Sequence, residues 1–363
     1  MKLLRRRKAT NLTISDLSDD AIRNETELIE EGTEEVCFRE GVVLKAISGL
    51  YIVHADADKE SAPSLFRCSL RGNLKKDLTY NTSKSVARRV TRAKRPLTKD
   101  TVAIGDRVRF QVNEEDTGVI EVIHPRTTRF ARAGEGRREQ TMVTNLDQMG
   151  IVFACAEPNP DLWRIDRWIM AAESNGIEPL IIANKRDLVD EKTFQERFGE
   201  YARIGYRVIA TSVRQQIGIE TLKTLLRGRI TAFTGPSGVG KSSLLNFVQP
   251  GLKLATGEIG LTTFKGKHTT TVRELIPLET GGWVADTPGL RSLELLNLDR
   301  DDLLAGFIEF APFLELPCRF HNCRHEAEPG CHLKEAVERG EVSRRRYESF
   351  LILAHEAEDG VKG

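Results

Sequence analysis

The hydrophobic and polar positions of the chain follow two patterns, and the change between them falls near Met149. Between about residues 36 and 125, apolar and polar side chains alternate in short segments, as in half-buried strands. Five such segments with loops between them predict a small barrel such as an OB-fold. A β-sandwich or an SH3-like barrel would give similar spacing, so both alternatives stay open. The five segments are 41–47, 49–54, 65–70, 106–112 and 118–123.

From Met149 onward, compact apolar runs alternate with helical segments. The runs 150–156 and 179–183 are apolar almost throughout, which is typical of parallel strands buried on both faces. Further strands are predicted at 206–210 and 229–234. Helices are predicted at 162–175 and 219–227. Strands that alternate with helices indicate a three-layer α/β region.

The two ends of the chain differ from this middle part. Residues 1–34 pass from a basic start to an acidic stretch without aromatic residues. Such a composition buries too little surface to offset chain entropy, so we predict a disordered tail. Beyond residue 293 the chain is polar and helical, and 343–358 predicts an amphipathic helix. The predicted fold is therefore multidomain, with a tail (1–34), an OB-fold barrel (35–125), an α/β P-loop domain (126–292) and a mainly helical domain (293–363).

Charge is spread unevenly over the 363 residues, although the net charge is only +1. From Val36 to Phe130 there are 18 Lys and Arg residues against 11 Asp and Glu residues. The segment from Lys84 to Lys99 has seven basic residues and no acidic ones. A barrel with excess positive charge suits the RNA backbone, although a charged surface is more often only solvated.

Other compositional features exclude several classes of protein. No apolar run reaches the roughly 18 residues of a membrane span, and the basic amino terminus lacks the apolar part of a secretory signal. Three of the six cysteines, Cys37, Cys68 and Cys155, are scattered through apolar or strand-like surroundings. With the other three clustered near the C-terminus, this distribution favours a metal site and core thiols in a reducing compartment over a disulfide framework. We therefore expect a cytoplasmic protein, and the lack of an apolar span predicts no membrane partner.

A phosphate-binding loop follows the predicted strand 229–234. The sequence GPSGVGKS matches GxxxxGK[ST] and precedes a predicted helix at 242–248, which is the context this motif requires. We expect Lys241 to reach the β- and γ-phosphates and the hydroxyl of Ser242 to bind Mg²⁺. The expected phosphate-binding residues are Gly235, Pro236, Ser237, Gly238, Val239, Gly240, Lys241, Ser242 and Ser243.

A guanine-reading element of the form NKxD comes at the end of the predicted strand 179–183. The carboxylate of Asp187 can accept hydrogen bonds from the ring N–H and exocyclic amine of guanine, a donor pattern that adenine lacks. Thr211 and Ser212 follow the next strand and are expected to support the base, although a simple turn is nearly as good an interpretation. The element consists of Asn184, Lys185, Arg186 and Asp187.

Two further segments are expected to sense the γ-phosphate. Asp286 can hold the Mg²⁺ shell, and the N–H of Gly289 can meet the γ-phosphate. Thr270 or Thr271 is expected to bind Mg²⁺ in the GTP state, with the choice between them open. Leu290 stands where many GTPases carry a water-orienting glutamine, so His268 is a candidate for that task. An exposed loop histidine is an equally good interpretation of His268.

The order of these motifs is rotated relative to an ordinary small GTPase. There the phosphate loop comes first and the base-reading element comes late, whereas here NKRD at 184–187 precedes the phosphate loop at 235–242. A circularly permuted GTP-binding domain explains this order. The short sequence distance from Gly289 to Cys318 also predicts that the γ-phosphate state acts on the C-terminal domain.

The C-terminal domain carries a set of metal ligands within fourteen residues. Three thiolates and one imidazole suit tetrahedral Zn²⁺, and a closed set of four ligands indicates a structural role. His321 and His332 are alternative donors, and buried free cysteines are the alternative to a metal site. The expected ligands are Cys318, Cys323, His325 and Cys331.

Taken together, these motifs closely resemble the RsgA (YjeQ/EngC) family of circularly permuted, ribosome-dependent GTPases. The resemblance rests on NKRD before GPSGVGKSS, on GKHTTT and on the CxxxxCxHxxxxxC segment, and it runs from about Val36 to the C-terminus. It implies GTP hydrolysis stimulated by the small ribosomal subunit, a role in late subunit maturation, and contact with rRNA. It also implies one structural zinc and a role for His268 in catalysis. The tail lies outside the shared pattern, and the basic segment Lys84–Lys99 is a loop of the OB domain of a kind that varies within the family.

Three other functions are weighed against this one. A non-ribosomal RNA enzyme would need a second catalytic constellation, and the sequence shows none. A non-enzymatic nucleotide-sensing scaffold is favoured only by Leu290, and ATP use is disfavoured by Asp187. We therefore expect a Mg²⁺-dependent GTP hydrolase, a monomer, which uses hydrolysis for release from the subunit.

Overall fold

The computed structural model describes the chain from residue 37 to residue 360 with several gaps. Apart from Cys37, the described residues belong to one unit, Phe38–Gly363. The predicted tail, 1–34, lies outside them. The described residues are 37–47, 49–57, 64–72, 77–80, 90–94, 102–113, 116–133, 139–250, 274–286 and 300–360.

Five strands close into a barrel in the first part of the molecule. The pairing order is β1-β2-β3-β7-β6, and β6 pairs again with β1. Four of these pairings are antiparallel, and β3 with β7 is parallel. This closure excludes the sandwich and confirms the predicted barrel. The strands up to this point are β1 (Phe38–Ile47), β2 (Leu50–Ala55), β3 (Ser64–Leu70), β4 (Asp77–Tyr80), β5 (Val90–Lys94), β6 (Arg107–Val112) and β7 (Thr117–Ile123).

The barrel interior is filled by the inward-facing residues of the alternating pattern. Phe66, Cys68 and Leu70 on β3 are buried, whereas Arg67 and Ser69 between them are exposed. This period of two is what the sequence predicted for half-buried strands. The antiparallel pair β4–β5 lies between β3 and β6 in the chain and forms its own two-stranded sheet, which the sequence did not predict.

A mainly parallel sheet forms the central region. Its order is β12-β11-β10-β13-β15-β14, with β14 antiparallel to β15. All seven residues of β10 are buried, as its apolar run predicted. A further hairpin, β8–β9, connects this sheet to the barrel along the chain. The strands are β8 (Arg129–Ala133), β9 (Glu139–Thr144), β10 (Gln148–Ala154), β11 (Glu178–Asn184), β12 (Arg207–Ala210), β13 (Ile230–Thr234), β14 (Glu274–Pro277) and β15 (Trp283–Asp286).

Helices cover both faces of this sheet, so the predicted three-layer arrangement is confirmed. Ile151 and Phe153 on β10 pack with α1 and α2, whereas Val152 and Ala154 pack with α3 and α4 on the opposite face. The helices are α1 (Leu162–Glu173), α2 (Glu191–Ile204), α3 (Ile219–Leu226) and α4 (Lys241–Val248).

Strand β1 joins the barrel to the central sheet, because it pairs with both. Its first half pairs with β6, and Lys45 near its end pairs with Glu274 on β14. Their side chains also form an ion pair with an Nζ–Oε2 distance of 2.7 Å. Nearby, the rings of His54 and Trp283 meet edge to face with centroids 4.7 Å apart. The barrel therefore rests on the two strands β14 and β15.

The C-terminal part is mainly helical and packs on α1 and α2. Met170 of α1 belongs to the same apolar cluster as Phe307, Phe310 and Phe350. This confirms the predicted helical character, and no described helix is long and apolar enough to cross a membrane. The helices are α5 (Arg300–Gly306), α6 (Ala311–Leu314), α7 (His332–Glu338) and α8 (Arg344–Gly360).

Candidate nucleotide and metal sites

The phosphate loop connects β13 to α4 at the carboxyl edge of the central sheet. Strands β10 and β13 are neighbours in the sheet. After β10 the chain continues to β11 on one side of this pair, and after β13 it continues to β14 and β15 on the other side. The strand order therefore reverses between β10 and β13. Ligands of open α/β sheets bind at such a point. Gly235 has φ of 136°, and a Cβ there would come 2.0 Å from the carbonyl oxygen of Val152. Only glycine fits this turn, and its backbone therefore stays free to line a phosphate.

Lys241 curls over the loop that precedes it. Its Nζ donates to the carbonyl oxygens of Gly235, at 2.7 Å, and Pro236, at 2.5 Å. The ammonium group therefore lies at the loop that the motif assigns to phosphate. Ser242 is buried in the first turn of α4, whereas Ser237 and Ser243 are exposed. The loop, the lysine and the buried hydroxyl have the relation that a Mg²⁺–nucleotide site needs.

The base-reading element lies beside the phosphate loop. Asn184 is buried at the end of β11, and its Nδ2 donates to the carbonyl oxygen of Val239 at 2.8 Å. A Cβ on Gly240 would come 2.5 Å from the same Nδ2. Thr211 Oγ1 donates to Asn184 Oδ1 at 3.0 Å. One amide side chain therefore fastens the base-reading strand to the phosphate loop and to the strand end after β12.

Asp187 is held in place by Ser212. The hydroxyl of Ser212 donates to Asp187 Oδ1 at 2.5 Å and accepts from the N–H of Gln215 at 3.1 Å. Because Ser212 uses only one carboxylate oxygen, the other is left for a base. Arg186 points elsewhere, since its Nη2 pairs with Glu191 Oε2 at 2.7 Å. The geometry thus brings Asp187 and Ser212 together and directs Arg186 toward α2.

The segment after β10 is a wall of this site that the sequence did not reveal. Lys185 Nζ donates to the carbonyl oxygen of Glu157, and Arg197 of α2 donates to that of Cys155. Pro158 lies near Gly238, with its Cδ 3.8 Å from where a Cβ on that glycine would be. The acceptors in these hydrogen bonds are main-chain carbonyl oxygens, so no side-chain motif in the sequence could have predicted them.

Of the candidates for γ-phosphate sensing, only Asp286 is among the described residues. Asp286 ends β15, where its Cα pairs with that of Glu274 on β14. The remaining candidates lie outside the described residues and stay predictions. They are His268, Thr270, Thr271 and Gly289, and Leu290 lies in the same undescribed part of the chain.

Four predicted metal ligands meet in the C-terminal part. One ligand atom from each of Cys318, Cys323, His325 and Cys331 lies within 4.8 Å of all the others. His325 Nδ1 is 3.3 Å from Cys331 Sγ and 3.7 Å from Cys318 Sγ. Thiolates around tetrahedral zinc stand about 3.8 Å apart, given Zn–S bonds of about 2.3 Å. The cluster therefore fits one tetrahedral ion.

The surroundings of the cluster shift the pKa values of two ligands and fix the turn before the last one. Burial raises the pKa of Cys331 to about 12 and lowers the pKa of His325. Burial therefore favours the neutral thiol of Cys331, and a cation that binds there would displace its proton. The turn before Cys331 is fixed by Glu328, which accepts the N–H groups of Arg324 and Glu326 at 3.0 Å each. These backbone donors lower the pKa of Glu328 to about 2.

The other cysteines differ in their surroundings. Cys68 and Cys155 are buried, as predicted for core thiols, and burial raises their pKa values to about 12 and about 11. The prediction was wrong for Cys37, which is exposed just before β1. Its apolar neighbours in the sequence suggested burial, but they do not show that Cys37 comes just before the first barrel strand begins.

The positive charge of the barrel is largely compensated in the described residues. Arg71 pairs with Glu121, Arg107 with Asp56, and Arg109 with Glu40. The basic excess therefore belongs to the segment Lys84–Lys99. Only the strand β5 of that segment is described, and only by its backbone.

Comparison with known proteins adds independent evidence. The RsgA GTPase family model matches residues 123–296. A curated protein named small ribosomal subunit biogenesis GTPase RsgA, from Gemmatimonas aurantiaca, is 39% identical over 318 residues, 87% of this chain and 96% of its own length. A protein of the same name from Alkaliphilus metalliredigens is 39% identical and covers 87% and 97%.

Solved structures agree with these matches. The crystal structure of YjeQ from Thermotoga maritima has a TM-score of 0.68 and 31% identity, and the match covers 88% of this chain and 99% of that one. YloQ, described as a circularly permuted GTPase, has a TM-score of 0.67 and 28% identity, with 91% and 98% covered. The likeness thus extends over barrel, central sheet and C-terminal helices.

Proposed function

We propose that this chain, which belongs to the RsgA GTPase family, binds the small ribosomal subunit and assists its late maturation. It hydrolyses GTP, the subunit stimulates hydrolysis, and hydrolysis drives release. The ribosomal part of the proposal rests on the relatives, and the observation that carries the GTP part is the bond from Asn184 Nδ2 to the Val239 carbonyl, 2.8 Å long. It holds a guanine-reading element against a phosphate loop.

GTP is selected over ATP by Asp187 in this proposal. Its carboxylate accepts from the two donors of guanine, with Ser212 fixing its direction. The base is supported by Asn184, Lys185, Thr211 and Ser212. Arg186 contributes indirectly, because its pair with Glu191 holds the conformation of the element. A site built to accept these donors discriminates strongly against a base that lacks them.

The phosphate side uses Lys241 and the loop from Gly235 to Ser243. Mg²⁺ would be held by Ser242, by Thr270 or Thr271, and by Asp286, and it would supply charge neutralisation at the phosphates. Gly289 meets the γ-phosphate. Because Leu290 cannot hold a water, His268 is the proposed water-orienting group.

The metal of the C-terminal cluster is proposed to be one structural Zn²⁺. Three thiolates and an imidazole are the donor set that zinc prefers, and four protein ligands leave no position for chemistry. The ion would hold the segment between α6 and α7 in its folded conformation. This segment lacks a regular helix or strand from Glu315 to Cys331 and has little core of its own.

The remaining parts provide the docking surfaces. The barrel domain (35–125) and the C-terminal domain (293–363) would contact the subunit and its rRNA, with the GTPase domain (126–292) between them. The chain is proposed to work as a cytoplasmic monomer. Because the charges of the described barrel residues are largely compensated, we expect the rRNA contact of this domain in the segment Lys84–Lys99.

Cosedimentation with purified ribosomal subunits tests the proposal. The protein is incubated with small or large subunits and with GDP or a non-hydrolysable GTP analogue. We expect it in the pellet only with small subunits and the GTP analogue. Asp187→Asn is the matched variant, because it keeps the size of the side chain and removes the acceptor for guanine.

Two results would contradict the proposal. Equal binding to both subunits with either nucleotide would remove the ribosomal role. Binding of an ATP analogue as tight as that of the GTP analogue would refute the role of Asp187. The Asp187→Asn variant should bind neither guanine nucleotide tightly and should stay in the supernatant.

A further inference from the structure

A short exposed loop lies between the first two metal-ligating cysteines. Its residues are Arg319, Phe320, His321 and Asn322, and all four are exposed. We call it the cysteine loop. Phe320 is 41% exposed, and in the described part of the chain it shares such exposure with one other phenylalanine, Phe38, at 51%. No role in the nucleotide or metal site accounts for this exposure.

The backbone of the cysteine loop is held at both ends. The N–H of Arg319 donates to the carbonyl oxygen of Gly330 at 3.1 Å, and the N–H of Cys323 donates to that of Phe320 at 3.2 Å. A Cβ on Gly330 would come 3.0 Å from Cβ of Arg319, so the loop packs tightly over the turn before Cys331. A loop held in this way loses little entropy when it binds a partner.

The side chains of the loop have the composition of a nucleic-acid contact. The guanidinium carbon of Arg319 is 5.7 Å from the centroid of the Phe320 ring. In the described part of the chain, Arg319 forms no ion pair. His321 and Asn322 add further hydrogen-bond donors, and the loop contains no carboxylate. An exposed ring beside a free guanidinium can stack on a base and neutralise the adjoining phosphate.

Most acidic side chains near the loop are engaged elsewhere. Glu328 accepts backbone N–H groups of its own turn. Glu326 pairs with Arg300 at 3.3 Å and with His355 at 2.7 Å. Glu358 pairs with Arg300 and Arg324. Glu315, exposed at the end of α6, is the exception. The surface that the loop presents is thus cationic and aromatic, which suits RNA better than an apolar protein surface.

We propose that Phe320 stacks on an unpaired base of RNA while Arg319 contacts an adjoining phosphate. This inference rests on the proposed function and names the chemistry by which the C-terminal domain would contact the small subunit. It commits to single-stranded RNA, because in a regular RNA duplex the bases are stacked on each other and closed to a protein ring. The cysteine loop is therefore a rigid base-stacking platform.

Three substitutions of Phe320 separate stacking from simple apolar contact. Phe320→Tyr keeps an aromatic ring, Phe320→Leu keeps an apolar side chain, and Phe320→Ala removes both. Ile352→Ala is the control, because Ile352 is 46% exposed on α8, outside the loop. Affinity is measured for purified small subunits and for a fluorescein-labelled single-stranded RNA of twelve nucleotides.

We expect Phe320→Ala and Phe320→Leu to weaken binding of the RNA about 5- to 150-fold, the usual effect of losing one stacked base. Phe320→Tyr should stay within about twofold of the unmodified protein, as should Ile352→Ala. Metal content and GTP turnover without subunits should be unchanged in all four variants. If Phe320→Ala loses its metal, the comparison of Phe320→Leu with Phe320→Tyr still tests whether the aromatic ring is needed for RNA binding.

Salt dependence tests the part assigned to Arg319. For single-stranded RNA, each phosphate contact contributes about 0.7 to the slope of log affinity against log salt. Arg319→Gln should therefore lower this slope by about 0.7, and Arg319→Lys should restore it. An unchanged slope in Arg319→Gln would overturn the phosphate contact.

The outcomes distinguish this inference from the proposed function. If Phe320→Leu binds as well as the unmodified protein while Phe320→Ala does not, the loop contacts an apolar protein surface and the inference is wrong. If Phe320→Ala binds small subunits and RNA normally, the loop has no such role, and the proposed function stands. If the unmodified protein does not bind small subunits at all, the proposed function itself fails.

Discussion

The two flanking regions are joined to the central sheet in physically different ways. The C-terminal helices are fastened to α1 and α2 by buried charges, whereas the barrel rests on β14 and β15 by strand pairing, apolar contact and an ion pair that is about a third exposed. Buried charges that lose a partner are costly, and exposed pairs contribute little. We therefore expect a firm junction with the C-terminal part and a weaker one with the barrel.

Asp166 is the centre of the C-terminal junction. Its fully buried carboxylate on α1 accepts from Arg345, Arg346 and Ser349 of α8 at 2.7, 2.8 and 2.6 Å, and from Tyr201 of α2 at 2.8 Å. Arg346 is also fully buried and pairs with Glu309 as well. One carboxylate thus joins two helices of the central region to the last helix.

The position of the two junctions changes the expected route of signalling. Sequence distance predicted that the segment after Gly289 acts on the C-terminal domain. In the described residues, the barrel contacts β14 and β15, and these strands continue along the chain into the segments with Thr271 and Gly289. We expect a γ-phosphate-dependent change to reach the barrel through the weaker junction. The prediction about the C-terminal domain stays untested.

The largest expected effect comes from removing the carboxylate of the firm junction. Asp166→Ala removes one of the two carboxylates that pair with the buried Arg346 and leaves only Glu309, so we expect the free energy of unfolding to fall by about 3–5 kcal/mol. Urea unfolding followed by circular dichroism measures it. Glu356→Ala is the control, since it breaks the exposed pair with Arg167 between the same two helices. A fall as small as that of the control, under about 1 kcal/mol, would contradict a charge-fastened junction.

Packing at the barrel junction should have the next largest effect. Trp283→Ala removes the ring that contacts His54 and the cluster of Leu275 and Ala285. Because Trp283 is only partly buried, we expect a loss of about 2–3 kcal/mol, below the full range for a core aromatic. Trp283→Phe should recover most of it in the same urea experiment. A larger loss than that of Asp166→Ala would reverse the ranking of the two junctions.

The barrel junction should also weaken in acid. Burial lowers the pKa of His54, and Arg39 acts in the same direction, whereas Asp56 opposes them. The folded protein therefore binds this proton less readily than the unfolded chain, whose histidine pKa is about 6.5. Stability is retained above that pH and is lost as pH falls through the lowered folded-state pKa.

Melting temperatures between pH 8 and pH 5.5 provide the test. The unmodified protein should lose more stability below about pH 6.5 than His54→Gln, which cannot be protonated. The difference between the two proteins cancels the contributions of other titrating groups. Parallel curves for the two proteins would show that folding does not lower the pKa of His54.

The smallest effect is expected from the ion pair between β1 and β14. Lys45 and Glu274 are about a third exposed, so their interaction is screened by solvent. A double-mutant cycle with Lys45→Ala and Glu274→Ala should give a coupling energy below about 1 kcal/mol. A coupling of about 3 kcal/mol would mean that this pair behaves like a buried one.

The regular elements and the ligand sets were readable from the sequence because their signals are local. Alternation located the five barrel strands, and the phosphate loop, NKRD and the four metal ligands depend on spacing. The hairpins β4–β5 and β8–β9 were missed, because their segments are polar and do not alternate clearly. The helix α2 also went unpredicted, although Asp190 caps its start by accepting from the N–H of Thr193 at 2.8 Å.

What could not be predicted depends on contacts between distant segments. Arg344, Arg345 and Arg346 form a charge run that resembles a solvated surface, yet Arg346 is fully buried. Nothing near Asp166 in sequence reveals that its partners lie about 180 residues away. The main-chain carbonyls that hold Lys185 and Arg197 leave no motif at all. Such contacts become visible only when the helices are packed.

GTP turnover with and without purified small ribosomal subunits tests the central claim most directly. The unmodified protein is compared with Lys241→Ala, and large subunits serve as the control particle. We expect slow turnover alone, clear stimulation by small subunits only, and no stimulation in Lys241→Ala. Equal rates with and without small subunits would contradict a subunit-stimulated GTPase.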